Sequence, residues 1–349
     1  MDLRKDKYKI YIERGLINKI SSYIRDIYGG NKIGLIIDDK VDSLYGDGIR
    51  THLVDKGFLV ETILIRPGEG SKSLEVLESI YRKLLDFNMT RGDLIIAMGG
   101  GVVGDIGGFA AATYLRGIDF IQIPTTLLAQ IDSSIGGKVA INLPQGKNLI
   151  GSFYQPRGVF IDPNFLSSLD EREFNNGMAE LIKYACILDK DLFCKLLTLS
   201  KEKLKEEIED IIFTSCSIKK KVVQQDERDM GKRMILNFGH TLGHAIEKYF
   251  NYEIYSHGEA IAIGMYNITL KSQLLGLTKE GTAQQIKKIL EKCDLPYKMP
   301  TMDREEMEKT INRDKKNRGD IIDIILLKDI GKGYIKNLSS ELFISQFIS

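Results

Sequence analysis

The sequence predicts an α/β amino-terminal domain on a mostly parallel sheet, followed by a mainly α-helical carboxy-terminal domain. Three observations carry that reading. A chain of 349 residues is too long for one ordinary core. Up to about residue 160, short apolar runs alternate with helical stretches. From Asn164 onward, apolar residues recur almost everywhere at helical spacing. Taken in order, "IGLIIDD" (33–39), "LVETILI" (59–65), "DLIIAMG" (93–99) and "DFIQIP" (119–124) read as buried strands. "SLEVLESIYRKLLDFN" (73–88) reads as a helix opened by a serine cap. Such alternation suits a sheet with helices on both faces. A boundary near Pro163 gives domains 1–162 and 163–349. Beyond it, "EFNNGMAELIKYACIL", "KLKEEIEDIIFTSCSIKKKVVQQ", "GHTLGHAIEKYF", "HGEAIAIGMYNITLKSQLLG" and "TAQQIKKILEKC" are helical by period, and "IIDIILLKDIGKGYI" (321–335) reads as a strand pair with a glycine turn.

Composition narrows the class of function. Apolar content of 43% and charged content of 28% are those of a soluble globular chain. The net charge of +1 provides no bulk basic field for nucleic acid or an acidic membrane surface. The most apolar region, Leu94 to Leu115, is interrupted by glycines and Asp105 and cannot span a bilayer. "MDLRKDKYKIYIERG" lacks a signal-peptide core, so the cytoplasm is the expected compartment. Cys186, Cys194, Cys216 and Cys293 have no CxxC spacing and read as small hydrophobes rather than a thiolate zinc site or disulfide framework.

Chemistry concentrates in four places. In "LIIAMGGGVVGDIGGFAAATYLRG", Gly99, Gly101 and Gly104 satisfy GxGxxG between a strand and a helix. That pattern lets backbone approach a pyrophosphate at a helix N-terminus, although glycine runs also serve tight strand–helix packing. Asp105 would repel phosphate there unless it points elsewhere, to a ribose or an amide. "PGEGSKS" (67–73) adds a polar loop with Glu69 and Lys72, and Asp39 ends an early strand where it could accept a ribose hydroxyl. Together these read as a nucleotide site. "IPTTLLAQIDSSIGGKVAINLPQGKNLIGSFYQP" (123–156) mixes Thr125, Thr126, Asp132, Ser133, Ser134, Lys138, Asn142, Lys147 and Asn148 into apolar sequence; its lysines would suit a phosphate or carboxylate. Finally, three of the four histidines fall between His240 and His257. His240 and His244 share a helix face, and spacing alone favours both as metal ligands. Glu180, Lys183 and Glu259 lie in the flanking motifs; a pair of core histidines is the plainer alternative.

In order, "GGGVVGDIGGFAAATYLRG", "IPTTLLAQIDSSIGGKVAIN", "GKNLIGSFYQP", "GMAELIKYA", "DERDMGKRMILNFGHTLGHAIE" and "HGEAIAIGM" resemble the 3-dehydroquinate synthase family over about residues 30–330. The resemblance implies a Rossmann-like NAD-binding domain followed by an α-helical metal-binding domain. It implies a phosphate-eliminating lyase of aromatic biosynthesis (the shikimate pathway), acting on a sugar-acid phosphate, 3-deoxy-D-arabino-heptulosonate 7-phosphate, to give 3-dehydroquinate. The implied steps are transient oxidation by NAD, phosphate elimination, re-reduction, ring opening and intramolecular aldol closure. One divalent cation, Zn2+ or Co2+, would be held by Glu180, His240 and His257, leaving His244 to handle protons near the substrate. For NAD the resemblance points to Asp39, Glu69, Lys72, Gly100, Gly101, Val102, Val103, Gly104, Asp105, Thr125, Thr126 and Asp132, bordered by Lys138 and Lys147. For substrate it points to Arg116, Lys138, Lys147, Asn148, Lys183, Lys219, Arg233, Asn237, Lys315 and Lys316. A homodimer is implied as well. Pro67 and Ser71 depart from the common family pattern. The alternatives are another sugar-phosphate cyclase such as 2-deoxy-scyllo-inosose synthase, a metal-dependent polyol dehydrogenase, or a nucleotide-sensing module with a structural zinc.

Overall fold

The computed structural model describes residues 7–229, 231–303, 305–306 and 321–348; Lys315 and Lys316 lie outside the described residues. The chain forms two compact units, residues 1–170 and 171–349. No helix among the described residues is long and apolar enough to cross a membrane.

In the first unit the strands are β1 (Lys9–Ile12), β2 (Lys32–Asp38), β3 (Leu59–Ile65), β4 (Leu94–Gly99), β5 (Asp119–Pro124), β6 (Lys138–Leu143), β7 (Gly146–Phe153) and β8 (Gly158–Ile161). Six of them make a parallel sheet in the order β1-β8-β5-β4-β2-β3, and β6 and β7 form a separate antiparallel hairpin. The four apolar runs foreseen as strands are β2 to β5. Their continuous hydrophobicity has a direct cause. Ile33, Leu35 and Ile37 of β2 enter one core with Leu94, Ile96 and Met98 of β4, while Ile36, Ile95 and Ala97 point into the core on the other face. Ser73 caps the Leu74–Asp86 helix by accepting from the Val76 amide at 3.3 Å, as its sequence position suggests. Phe165 joins the first core, so this unit continues past Pro163 to Asp170.

The second unit is mainly helical: Glu171–Leu188, Lys190–Thr198, Lys201–Glu206, Ile208–Gln225, His240–Tyr249, His257–Leu274 and Thr282–Lys292. The stretch foreseen as one helix over 203–225 breaks at Glu207. The Lys201–Glu206 turn buries nothing, whereas Ile208 begins the buried face that continues through Ile211, Ile212 and Ser215. The foreseen strand pair is β9 (Ile321–Asp329) and β10 (Lys332–Ser339), joined through Gly331 at φ +80°. Two helices meet at backbone range. Gly239 precedes the His240 helix at φ +81°, and a Cβ on Gly264 would lie 2.1 Å from the Gly239 carbonyl oxygen. This close approach sets His240 and His257 side by side.

Candidate active site

The nucleotide-type features gather at one edge of the first sheet. From β2 the chain moves outward to β3, then crosses back to β4 on the other side of β2. The carboxyl ends of β2 and β4 therefore form a topological switch point, where open α/β sheets leave a crevice for ligands. Asp38 ends β2 and is buried; its Oδ1 accepts from the Val41 amide at 2.9 Å, and burial raises its carboxyl above the ordinary value. Asp39, the residue singled out from sequence, is exposed in the next turn. Across the switch point, Gly100 is the N-cap of the Gly101–Thr113 helix. Gly101, Val102 and Val103 open that helix, and their first-turn amides face the position an anion would take. Gly107 and Gly108 serve the packing role instead: Cβ atoms there would lie 2.8 Å from Ala97 and 2.4 Å from Val139.

Asp105 does point elsewhere, to a partner that sequence alone did not identify. Its Oδ2 accepts from Lys72 Nζ at 2.6 Å, and the same ammonium donates to Asn148 Oδ1 at 2.5 Å and stands 3.5 Å from Glu69 Oε1. Asn142 completes the group. Its Nδ2 donates to Glu69 Oε1 at 2.8 Å, its Oδ1 accepts from the Asn148 amide at 2.8 Å, and its own amide donates to the Lys72 carbonyl at 2.7 Å. The hairpin is thus tied to the "PGEGSKS" loop and the glycine turn through one buried lysine. Ser71 is buried and closes that loop on the Arg66 carbonyl at 2.6 Å. Thr125 donates its amide to the Gly99 carbonyl at 2.9 Å, a Cβ on Gly100 would lie 3.1 Å from Thr126 Cγ2, and Asp132 lies in the Ala129–Ser133 turn. Lys138 is exposed at the start of β6, and Lys147 is half-buried in β7. Arg116 is not brought to this edge: it precedes β5, at the opposite end of the sheet, with φ +69°.

The second unit holds the titratable cluster. Glu180 on the Glu171–Leu188 helix is fully buried, and its Oε2 is paired with Lys183 Nζ, itself buried. Its Oε1 lies 3.5 Å from His240 Nε2 and 3.3 Å from His257 Nε2. Ligands about 2.1 Å from a tetrahedral zinc sit about 3.4 Å from one another, so these separations match the edges of such a polyhedron. The tautomers fit too. His240 Nδ1 lies 3.2 Å from the Phe238 carbonyl, which only accepts, so the proton sits on Nδ1 and Nε2 offers its lone pair. His257 Nδ1 lies 3.5 Å from Glu247 Oε2. Burial, then the Lys183 charge, hold His240 well below its ordinary value and keep it neutral. Burial acts in the same direction on His257, but Glu180 and Glu247 overcome it and raise that group to about 10. The two carboxylates thus hold a positive charge at a place where a cation would supply it.

His244 differs from its neighbours. Its side chain is 64% exposed, and its ring centroid lies 5.3 Å from that of His240. The arrangement favours the Glu180, His240 and His257 set over a His240–His244 pair, since both Nε2 atoms of that set face one carboxylate oxygen. Glu259 has other work: it forms a capping box with Ser256 and a two-point ion pair with Arg172 at 2.9 and 2.8 Å. The Glu171–Leu188 helix also packs against the Ile208–Gln225 helix, which carries buried Lys219, and the Lys232–Asn237 turn. In that turn buried Arg233 donates Nη1 to the Glu227 carbonyl at 2.7 Å, and Asn237 is exposed. Sequence reasoning overlooked Asp38 and Glu247; Asn142 was singled out in the polar run, but without its partners Glu69, Lys72 and Asn148. The signal for Glu247 was its position one turn after His244 in an apolar helix.

Known proteins resemble the chain over nearly its whole length. The 3-dehydroquinate synthase N-terminal family matches residues 62–176, and the C-terminal family of that name matches residues 177–317. A 3-dehydroquinate synthase of Clostridium botulinum (strain Alaska E43 / Type E3) is 51% identical over 344 residues, covering 98% of each chain. A solved 2-epi-5-epi-valiolone synthase from Streptomyces hygroscopicus subsp. jinggangensis 5008, with NAD+ and Zn2+ bound, has a TM-score of 0.89 at 26% identity, covering 100% of this chain and 98% of that one. A 2-deoxy-scyllo-inosose synthase complexed with carbaglucose-6-phosphate, NAD+ and Co2+ has a TM-score of 0.84 at 28% identity, covering 97% and 96%.

Proposed function

The chain belongs to the 3-dehydroquinate synthase family, and from that premise we propose that it converts 3-deoxy-D-arabino-heptulosonate 7-phosphate to 3-dehydroquinate and phosphate, with recycled NAD and one divalent cation, Zn2+ or Co2+. The observation that carries the reading is the meeting of Glu180 Oε1 with the Nε2 atoms of His240 and His257. Those three residues are the proposed cation ligands. When bound, the cation polarises substrate oxygens and NAD accepts and returns a hydride. The chain's own groups do the rest. The cradle of Asp39, Glu69, Lys72, the Gly100–Asp105 turn, Thr125, Thr126 and Asp132 holds the dinucleotide. In the first unit, Lys138, Lys147 and Asn148 of the hairpin are proposed for the anionic groups of the substrate; in the helical unit, Lys183, Lys219, Arg233 and Asn237 are proposed for the same kind of group. His244, exposed beside the ligand set, moves protons at its imidazole. Assembly as a homodimer, implied by the family resemblance, and a cytoplasmic location complete the proposal.

The test is incubation with the heptulosonate phosphate, substoichiometric NAD and Zn2+. Many phosphates released per NAD, with a carbocyclic product and no net NADH, is the expected result. NADH accumulating in proportion to product would instead indicate a dehydrogenase, and turnover only of a sugar phosphate without a carboxylate would indicate another cyclase.

Two further outcomes follow from the geometry. Lys72→Met removes the ammonium that joins Asp105, Asn148 and Glu69 beside the glycine turn. Hydrogen bonds to charged groups contribute about 1.5–3 kcal/mol, so NAD affinity is expected to fall about 10- to 100-fold by calorimetry; unchanged affinity would contradict the cradle. The second concerns pH. Because the folded value of His257, about 10, lies above its ordinary 6.5, its proton stabilises the fold fully below pH 6.5, and that contribution is lost as pH rises through about 10. A bound cation replaces that proton, so zinc affinity is expected to rise roughly tenfold per pH unit between about pH 7 and 9. A flat profile would contradict this.

A further inference from the structure

We propose that Glu247 is a positioning residue for the cation site, pinning the ring of His257 so that Nε2 faces Glu180. The inference rests on the reading of Glu180, His240 and His257 as cation ligands. Glu247 lies two turns after His240 on the same helix, and it is buried. A carboxylate taken out of water needs a donor. Its Oε2 stands 3.5 Å from His257 Nδ1 and 4.0 Å from His244 Nε2. A carboxylate only accepts, so the contact places the proton on Nδ1 and leaves Nε2, 3.3 Å from Glu180 Oε1, as the ligating atom.

The two histidines are pinned by different means. The His240 ring is held by the backbone carbonyl of Phe238, two residues away in its own segment. His257 is the first residue of its helix, so no preceding turn of that helix packs against its ring. Its anchor comes from the neighbouring helix instead, and that anchor is a side chain that can be replaced. Glu247 therefore ties the orientation of one proposed ligand to the helix that carries the other. The same carboxylate oxygen also lies nearest His244, so one group borders both a ligand and the exposed imidazole.

The test is equilibrium zinc affinity, measured by chelator competition on the full chain without substrate or NAD. Glu247→Met keeps the volume and removes the acceptor; Glu247→Gln keeps an acceptor oxygen and removes the charge. Outer-shell partners of metal-bound histidines change affinity by about 10- to 100-fold. Glu247→Met is expected to weaken zinc by that factor and to alter the Co2+ absorption spectrum, with Glu247→Gln retaining more of both. Zinc affinity of Glu247→Met equal to that of the wild type overturns the proposal, as does a Gln variant no better than Met. Should the Met variant fail to fold, Glu247→Gln decides: a loss of zinc affinity of up to about 100-fold supports it, and affinity equal to that of the wild type overturns it. Glu180→Gln and His240→Ala separate the two levels. If both lose zinc while Glu247→Met does not, only the positioning role fails; if neither loses zinc, the ligand reading itself fails.

Discussion

His257→Ala is expected to lose the bound cation and turnover together, whereas His244→Ala is expected to keep the cation and slow the reaction. The two imidazoles lie close, with ring centroids 6.1 Å apart, but their surroundings separate them. His257 Nε2 faces a buried carboxylate, while the His244 ring is largely in solvent. Charge stabilisation by a metal is worth several kcal/mol, so its loss is expected to cost about a thousandfold or more in kcat. Loss of a proton-transfer group typically costs about 100- to 10,000-fold, leaving metal content untouched. Elemental analysis after dialysis distinguishes them. Equal metal loss in both variants would show that the ligand set is misassigned.

Gly264→Ala is expected to destabilise the helical unit, against what helix propensity alone says. Alanine is favoured over glycine in a helix interior by about 1 kcal/mol. Here its Cβ would come within 2.1 Å of the Gly239 carbonyl oxygen, a backbone atom at the start of the His240 helix. Overpacking of that kind costs about 1–3 kcal/mol, and the neighbouring main chain cannot rotate away as a side chain would. The net cost of up to about 2 kcal/mol lowers Tm by up to about 8 °C for a domain of this size. Zinc affinity is expected to fall as well, since the displaced helix carries a proposed ligand. A raised Tm with unchanged zinc binding would show that the two helices do not depend on this contact.

How far the sequence could be read depended on the kind of signal. Strands β2 to β5 were legible because both faces are buried and the runs are continuously apolar. Strands β1 and β8 were not, being four residues each. The hairpin of β6 and β7 was read as a functional polar stretch without its pairing. Half-exposed strands carrying Lys138, Lys147 and Asn148 lack the apolar run that marks a buried one. The glycine turn was legible as a junction of strand and helix, but the destination of Asp105 was not, since Lys72 is 33 residues away in sequence. At the cation site, helical spacing suggested His240 with His244. The structure instead turns His240 toward Glu180, on a helix 60 residues earlier, and leaves His244 largely in solvent. Periodicity reports which face of a helix a residue occupies; it does not report which other helix that face meets.

The most direct measurement is an anomalous-difference diffraction map at the zinc edge, on crystals of the zinc-loaded chain. The expected result is a single strong peak about 2.0–2.2 Å from Nε2 of His240, Nε2 of His257 and one carboxylate oxygen of Glu180, with no such contact to His244. A peak coordinated by His240 and His244, or the absence of any peak at Glu180 in a zinc-replete crystal, would contradict it.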